Sequence, residues 1–161
     1  MPLEQRDKEL AAIGASIGAN CRPCIEHHLA AGREAGLSWP DLDDAVAAAH
    51  LLRRQAVDLL SARVDELLGH GGSPPEPVAF VETSKECELV ALGVSVGANS
   101  HALLHVHVGA ALDAGLELAQ VRSAVKMAGY VQQRAAEITA DEAAGALAER
   151  TGAAADVVAA P

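Results

Sequence analysis

The chain has 161 residues and a formal net charge of −10 at pH 7. Half of its residues are apolar but only 2% are aromatic, so its core must consist of Ala, Leu and Val, a composition that favours closely packed helices over sheets. The acidic net charge argues against an extended nucleic-acid interface, and no apolar run approaches the roughly 20 residues that span a bilayer, so we expect neither a nucleic-acid nor a membrane partner.

The first half of the chain has helical periodicity throughout. Gly36 is a typical residue to follow a helix C-terminus. Ser38 is a typical N-cap residue, and acidic residues follow it in the first turn. The turn-rich segment 69–77 contains several Gly and Pro residues and cannot continue a helix. The helices predicted before it span residues 4–19, 21–35 and 39–68.

The second half repeats the first. A shift of 79 residues aligns 9–37 with 88–116, and 13 of these 29 positions are identical, which indicates a tandem duplication. The helices predicted in this half span residues 84–98, 100–114 and 118–138, with a short helix at 141–150 and a frayed tail from Thr151. We therefore expect an all-α helical bundle of two tandem three-helix repeats (1–68 and 78–140) that pack as one domain, followed by a C-terminal helix and tail (141–161).

The first repeat contains the most informative motif, a CxxC pair at Cys21 and Cys24 with Glu9 before it and His28 after it. At about 100° per residue, Cys21, Cys24 and His28 share one helix face, whereas His27 is predicted to point elsewhere. A helix N-terminus and a nearby imidazole stabilise a thiolate, and two neighbouring thiols can form a disulfide. This combination predicts a redox-active dithiol site.

Three other features bear on compartment and metal binding. The N-terminal residues lack a signal-peptide apolar region, so we expect a cytoplasmic, reduced protein, in which a CxxC is catalytic or metal-binding. Zinc ligation by Cys21, Cys24 and His28 lacks a fourth ligand, so no metal and no cofactor are expected. His101 and His105 are four residues apart, and we expect solvated side chains rather than a metal site there. Cys87 is expected to be a lone thiol.

The second repeat has lost the thiols. Ser100 and Leu103 occupy the positions that match the two cysteines, while Glu88 and His107 match Glu9 and His28. We expect a degenerate half that completes the core. The alternative is a residual small-molecule site around Glu88, Ser100 and His107.

The spacing Glu-x11-Cys-x2-Cys-x3-His, with the segment Ala-Gly-Leu-Ser-Trp-Pro-Asp-Leu at 35–42, resembles the alkylhydroperoxidase-D branch of the carboxymuconolactone decarboxylase family. The resemblance implies that Cys24 reduces a hydroperoxide and becomes a sulfenic acid, that Cys21 resolves it as a disulfide, and that Glu9 and His28 relay protons. It also implies a dithiol electron donor such as a lipoyl-bearing protein. A further histidine lies between the cysteines of the best-known member, whereas this chain has Pro23. That member also carries its motif in the second half of the chain.

Two rival functions remain open at this point. The other branch of the same family suggests a decarboxylase or lactone-handling enzyme, which would not depend on a CxxC. The second rival is a non-enzymatic, metal-binding helical assembly. Because so few large side chains are available to fill a core, we expect the subunits to share apolar surface in a homo-oligomer.

Overall fold

The computed structural model describes residues 2–71, 75–77, 80 and 83–151, and this part of the chain contains helices and no strands. The all-α prediction is therefore confirmed. Five of the helices lie within one residue of their predicted bounds, because their caps and apolar stripes are local features. The six helices are α1 (Gln5–Gly18), α2 (Arg22–Glu34), α3 (Trp39–Leu67), α4 (Lys85–Gly97), α5 (His101–Asp113) and α6 (Leu118–Thr151).

The first helices of the two repeats, α1 and α4, form the centre of the bundle and run parallel. Their N-terminal ends meet where Arg6 lies 3.5 Å from Glu86, and their C-terminal ends meet where Gly18 faces the carbonyl of Val94. Glycines allow this close approach, because a Cβ at Gly14 or Gly93 would overlap a backbone carbonyl of the opposite helix. Gly14 faces the Val90 carbonyl, and Gly93 faces the Ala11 carbonyl. The 79-residue shift between the repeats exchanges these two glycine contacts, so α1 and α4 are related by a local two-fold axis.

The third helices, α3 and α6, each pack against both central helices. Their buried positions also match at a shift of 79 residues, from Leu42 and Val121 to Ala56 and Ala135. Since α6 contacts α1, the second repeat covers part of the first repeat. Helices α2 and α5 are shorter and bury only a few side chains each.

A tight turn joins α1 to α2 and fixes the position of the CxxC segment. Asn20 has φ 56°, a left-handed conformation that asparagine tolerates better than most residues. The N–H groups of Asn20 and Cys21 donate to the carbonyls of Ile17 and Ser16, at 3.1 and 2.9 Å. This pattern is a Schellman motif, and it ties Cys21 to the end of α1 at the point where α2 begins.

One helix boundary differs from the sequence prediction. The separate short helix predicted over 141–150 is wrong, because α6 continues without interruption from Leu118 to Thr151. Residues 139–151 contain no proline. The Thr139 hydroxyl donates to the Ala135 carbonyl at 2.9 Å, a bond within the helix that satisfies the side chain without ending the helix. The predicted tail beyond Thr151 and residues 72–74 of the predicted linker lie outside the described residues.

Among the described residues, none of the helices has the combination of length and apolarity needed to cross a membrane.

Candidate functional site

Cys21 and Cys24 form a disulfide at the N-terminus of α2, with their Cα atoms 5.2 Å apart. Cys21 is the N-cap residue, and its Sγ accepts the backbone N–H of Cys24 at 3.3 Å. Pro23 in the first turn removes no helical hydrogen bond, because the N–H groups there have no partner in the preceding turn. The two cysteines are 7% and 6% exposed, so small molecules reach their sulfurs only through restricted openings.

The third and fourth predicted site residues, Glu9 and His28, meet between α1 and α2. Glu9 Oε2 lies 2.8 Å from His28 Nδ1, and Glu9 Oε1 accepts a hydrogen bond from Gln5 Nε2 at 2.6 Å. Both side chains are buried, with 3% and 8% of their surface exposed. An ionised Glu9 carboxylate would accept from an Nδ1–H group, an arrangement that leaves Nε2 as the basic nitrogen of the ring.

The disulfide lies between two pockets. The pocket on the side of Cys24 has a volume of about 300 Å³ and is lined by residues of α2 and α6. The pocket on the side of Cys21 has a volume of about 280 Å³ and is lined by residues of α1, α2 and α3 and the turn before Cys21. The polar side chains of the first pocket are His27, His28, Tyr130 and Arg134, and those of the second are Ser16, Asn20, Arg22, His50 and Arg53.

Sequence reasoning missed three residues of the Cys24 pocket. His27 is exposed, as its helical position requires, but its ring contacts the ring of His28 edge-on at 4.9 Å and lines the same pocket. Tyr130 and Arg134 come from α6 of the other repeat. Val131 packs in the same apolar cluster as both cysteines, and Tyr130 and Arg134 lie one and three residues from it on α6. This helical spacing is the sequence feature that would have identified them.

The second repeat contains the corresponding acid–imidazole pair. Glu88 Oε2 lies 2.9 Å from His107 Nδ1, both residues are fully buried, and Thr83 donates its hydroxyl to the other Glu88 oxygen. Leu103, also fully buried, occupies the position of Cys24, and the ring of Phe80 packs 5.7 Å from that of His107. In the part of the chain that the structure describes, His107 Nε2 is the only buried side-chain N or O atom without a hydrogen-bond partner.

The remaining candidates lie apart from the disulfide. Ser100 is the N-cap residue of α5, but its side chain makes no capping hydrogen bond. His101 and His105 are exposed on α5. Within the described ranges, no three His, Cys, Asp or Glu side chains converge in a way that could hold a metal ion. Cys87 is a free, partly exposed thiol in the first turn of α4, and the Ser84 hydroxyl accepts its backbone N–H.

Comparison with known proteins identifies a relationship for the first repeat. No curated protein and no solved structure gives a significant match to the chain. Residues 2–65, which include α1, α2 and nearly all of α3, match the family model described as Carboxymuconolactone decarboxylase family. The segment that holds Glu9, Cys21, Cys24 and His28 is thus similar to that family.

Proposed function

We propose that this protein is a dithiol oxidoreductase that reduces hydroperoxides at Cys24. The observation that carries the proposal is a Cys21–Cys24 disulfide at a helix N-terminus, with Cys24 lining the same pocket as His28 and with His28 bonded to Glu9. A helix N-terminus stabilises a thiolate, and the paired imidazole provides a base of fixed orientation.

The oxidative half of the cycle consumes the peroxide. The Cys24 thiolate attacks the terminal oxygen of the hydroperoxide, the O–O bond breaks, and the alkoxide leaves as an alcohol after taking a proton. The product on Cys24 is a sulfenic acid. In this proposal, His28 Nε2 takes the thiol proton and returns it to the leaving oxygen, while Glu9 holds the ring and stabilises its charged form.

The resolving step forms the disulfide. Cys21 attacks the sulfur of the Cys24 sulfenic acid, an S–S bond forms, and the hydroxyl leaves as water after protonation. Two thiols are thereby oxidised for each peroxide reduced. A dithiol donor then returns the pair to the reduced state, and a lipoyl-bearing protein is the donor that the family resemblance suggests.

Thiol counting tests this proposal. The reduced protein should lose two thiols on addition of one equivalent of hydroperoxide, with release of one equivalent of alcohol. Cys24→Ser should abolish the loss. Cys21→Ser should stop at a Cys24 sulfenic acid that dimedone labels. Cys87→Ser is the matched control and should still lose two thiols, and the proposal fails if Cys87→Ser alone prevents the loss.

A second candidate function is the decarboxylase or lactone-handling activity named by the family that residues 2–65 match. That chemistry needs an acid–base pair but no thiol. A Cys21→Ser/Cys24→Ser double variant separates the two functions. If the protein is a decarboxylase, the double variant should retain that activity. If the protein is a dithiol peroxidase, the double variant should lose all peroxide reduction.

We also propose a homo-oligomer, because the second half of α3 exposes a stripe of apolar side chains. Val57, Leu60, Val64 and Leu67 recur at helical spacing and are between 45% and 69% exposed. Sedimentation equilibrium should give a multiple of the 16.5 kDa chain mass. Leu60→Lys should reduce that multiple, and an unchanged mass would exclude this stripe as the interface.

A further inference from the structure

The pocket beside Cys21 has a chemical character of its own. Arg53 of α3 lines it together with Cys21, and its Nη1 donates to Asn20 Oδ1 at 3.0 Å. Asn20 directly precedes Cys21, so this bond holds the guanidinium at the mouth of the pocket that Cys21 lines. Arg22 and His50 complete the polar lining together with Ser16.

None of the acidic side chains that the structure describes near this pocket forms an ion pair with Arg53. Glu26 bonds to Arg22 at 2.8 Å, and Asp58 lines an adjoining pocket that Arg53 shares with Arg54. Within the described residues, no carboxylate lies within ion-pair distance of Arg53, whose hydrogen bond goes to a neutral amide. An unpaired cation in a protein of net charge −10 creates a local field that attracts anions.

The Cys24 pocket differs in this respect. Its one arginine, Arg134, lies 3.0 Å from Glu137, so much of its charge is compensated. His28 lines the Cys24 pocket and not the Cys21 pocket, which agrees with the proposed peroxide chemistry at Cys24. The two sulfurs therefore face environments suited to different reactants.

We propose that the reductant enters through the Cys21 pocket, attacks Cys21 Sγ, and is an anionic dithiol that Arg53 attracts. This inference rests on the proposed function, since it assigns the reductive half of the same cycle. It also departs from the donor that the family resemblance suggests, because the lipoyl group of a lipoyl-bearing protein is a neutral amide, whereas Arg53 favours a free anionic dithiol. One reductant thiolate attacks Cys21 Sγ, the Cys21–Cys24 bond breaks, and Cys24 leaves as a thiolate. The second reductant thiolate then attacks the reductant sulfur held on Cys21, which closes the reductant's own disulfide and releases the Cys21 thiolate. Two electrons pass from the dithiol to the protein disulfide.

The test compares two reductants that differ in charge but carry the same dithiol. Stopped-flow kinetics would measure reduction of the disulfide form by dihydrolipoate, which is an anion, and by dihydrolipoamide, which is neutral. We expect dihydrolipoate to react about fivefold faster at low ionic strength, and the ratio to approach one in 0.5 M salt as the field is screened.

The second repeat supplies a matched substitution. Gln132 occupies the position that corresponds to Arg53, and its Nε2 donates to Asn99 Oδ1 at 2.7 Å. Arg53→Gln should therefore remove the charge but retain a hydrogen bond to the turn, and it should reduce the rate ratio to about one. Arg63→Gln makes the same charge change on an exposed part of α3, where Arg63 contacts Glu66, and should leave the ratio unchanged. A ratio in Arg53→Gln equal to that of the native chain would overturn the proposal.

The attacked sulfur is identified by trapping. The disulfide form is treated with excess mercaptoacetate, the reaction is quenched with N-ethylmaleimide, and the peptides are analysed by mass spectrometry. The mercaptoacetate should lie on Cys21 and the maleimide on Cys24, and the reverse assignment would contradict the proposed route. These assays need no peroxide. If the reduced protein does not lose two thiols with hydroperoxide, the peroxidase function is refuted. If it does lose them but the reductant and trapping assays give the contrary results, only the entry route of the reductant is refuted.

Discussion

Gly14→Ala should weaken the contact between α1 and α4 on which both repeats depend. A methyl group at this position would overlap the Val90 carbonyl oxygen and lie 3.0 Å from the Val90 carbonyl carbon and 3.1 Å from the Val94 nitrogen. All three atoms belong to the backbone, so no side chain can rotate away. Because a carbon and a carbonyl oxygen in favourable contact lie about 3.3–3.6 Å apart, relief of the overlap with the Val90 oxygen requires the two helices to move apart by about 1 Å or more.

The expected loss of stability combines two opposing contributions. Inserting a methylene-sized group into a well-packed core destabilises by about 1–3 kcal/mol, and a rigid backbone contact favours the upper end of that range. Alanine in place of glycine within a helix returns about 1 kcal/mol. The net decrease in the free energy of unfolding is therefore about 2 kcal/mol, which lowers the melting temperature by roughly 4–8 °C for a chain of this size.

Urea unfolding followed by circular dichroism at 222 nm measures this change. Gly109→Ala is the matched control, because a methyl group at that position in α5 would meet no atom beyond the local backbone of its own helix within 4 Å. The control should gain up to about 1 kcal/mol from helix propensity alone. If Gly14→Ala were as stable as Gly109→Ala, the close glycine contact between α1 and α4 would not exist in solution.

Three further predictions concern buried and capping groups. Glu9→Gln keeps the shape of the side chain but removes its charge, and it should slow thiol loss with peroxide by about 10²–10³-fold in stopped-flow measurements. The backbone N–H of Ser38 donates to the Asp41 carboxylate at 2.8 Å and holds the pKa of Asp41 below its ordinary value. The stabilisation from this bond is therefore present above the unfolded-state pKa and lost as the pH falls through the lowered folded-state pKa, so urea midpoints of Asp41→Asn and the native chain should differ at pH 7 and converge in acid. His107→Leu leaves the Glu88 carboxylate buried without its imidazole and should reduce the free energy of unfolding by about 3–5 kcal/mol, whereas the double variant with Glu88→Met should recover most of that loss in the same urea assay.

The amino-acid sequence alone was sufficient to predict the helices and to predict that both sulfurs lie on one helix face. Cys21, Cys24 and His28 are three, four and seven residues apart, and helical geometry turns those spacings into one face whatever the helix packs against. The tandem repeat was equally visible, because a 79-residue shift is a property of the sequence. The end of α6 was not predictable from Ile138 and Thr139, since the helix accommodates both residues without a break.

The contacts between helices required the tertiary structure. The sequence placed Glu9 in the first predicted helix, but only the packing of α1 against α2 brings its carboxylate to His28 Nδ1. Likewise, Tyr130 and Arg134 join the Cys24 pocket because α6 packs across the first repeat, more than 100 residues further along the chain. The physical reason is that helix periodicity depends on neighbours within about four residues. The angle and distance at which two helices pack depend on side chains that the sequence separates and only the folded core brings together.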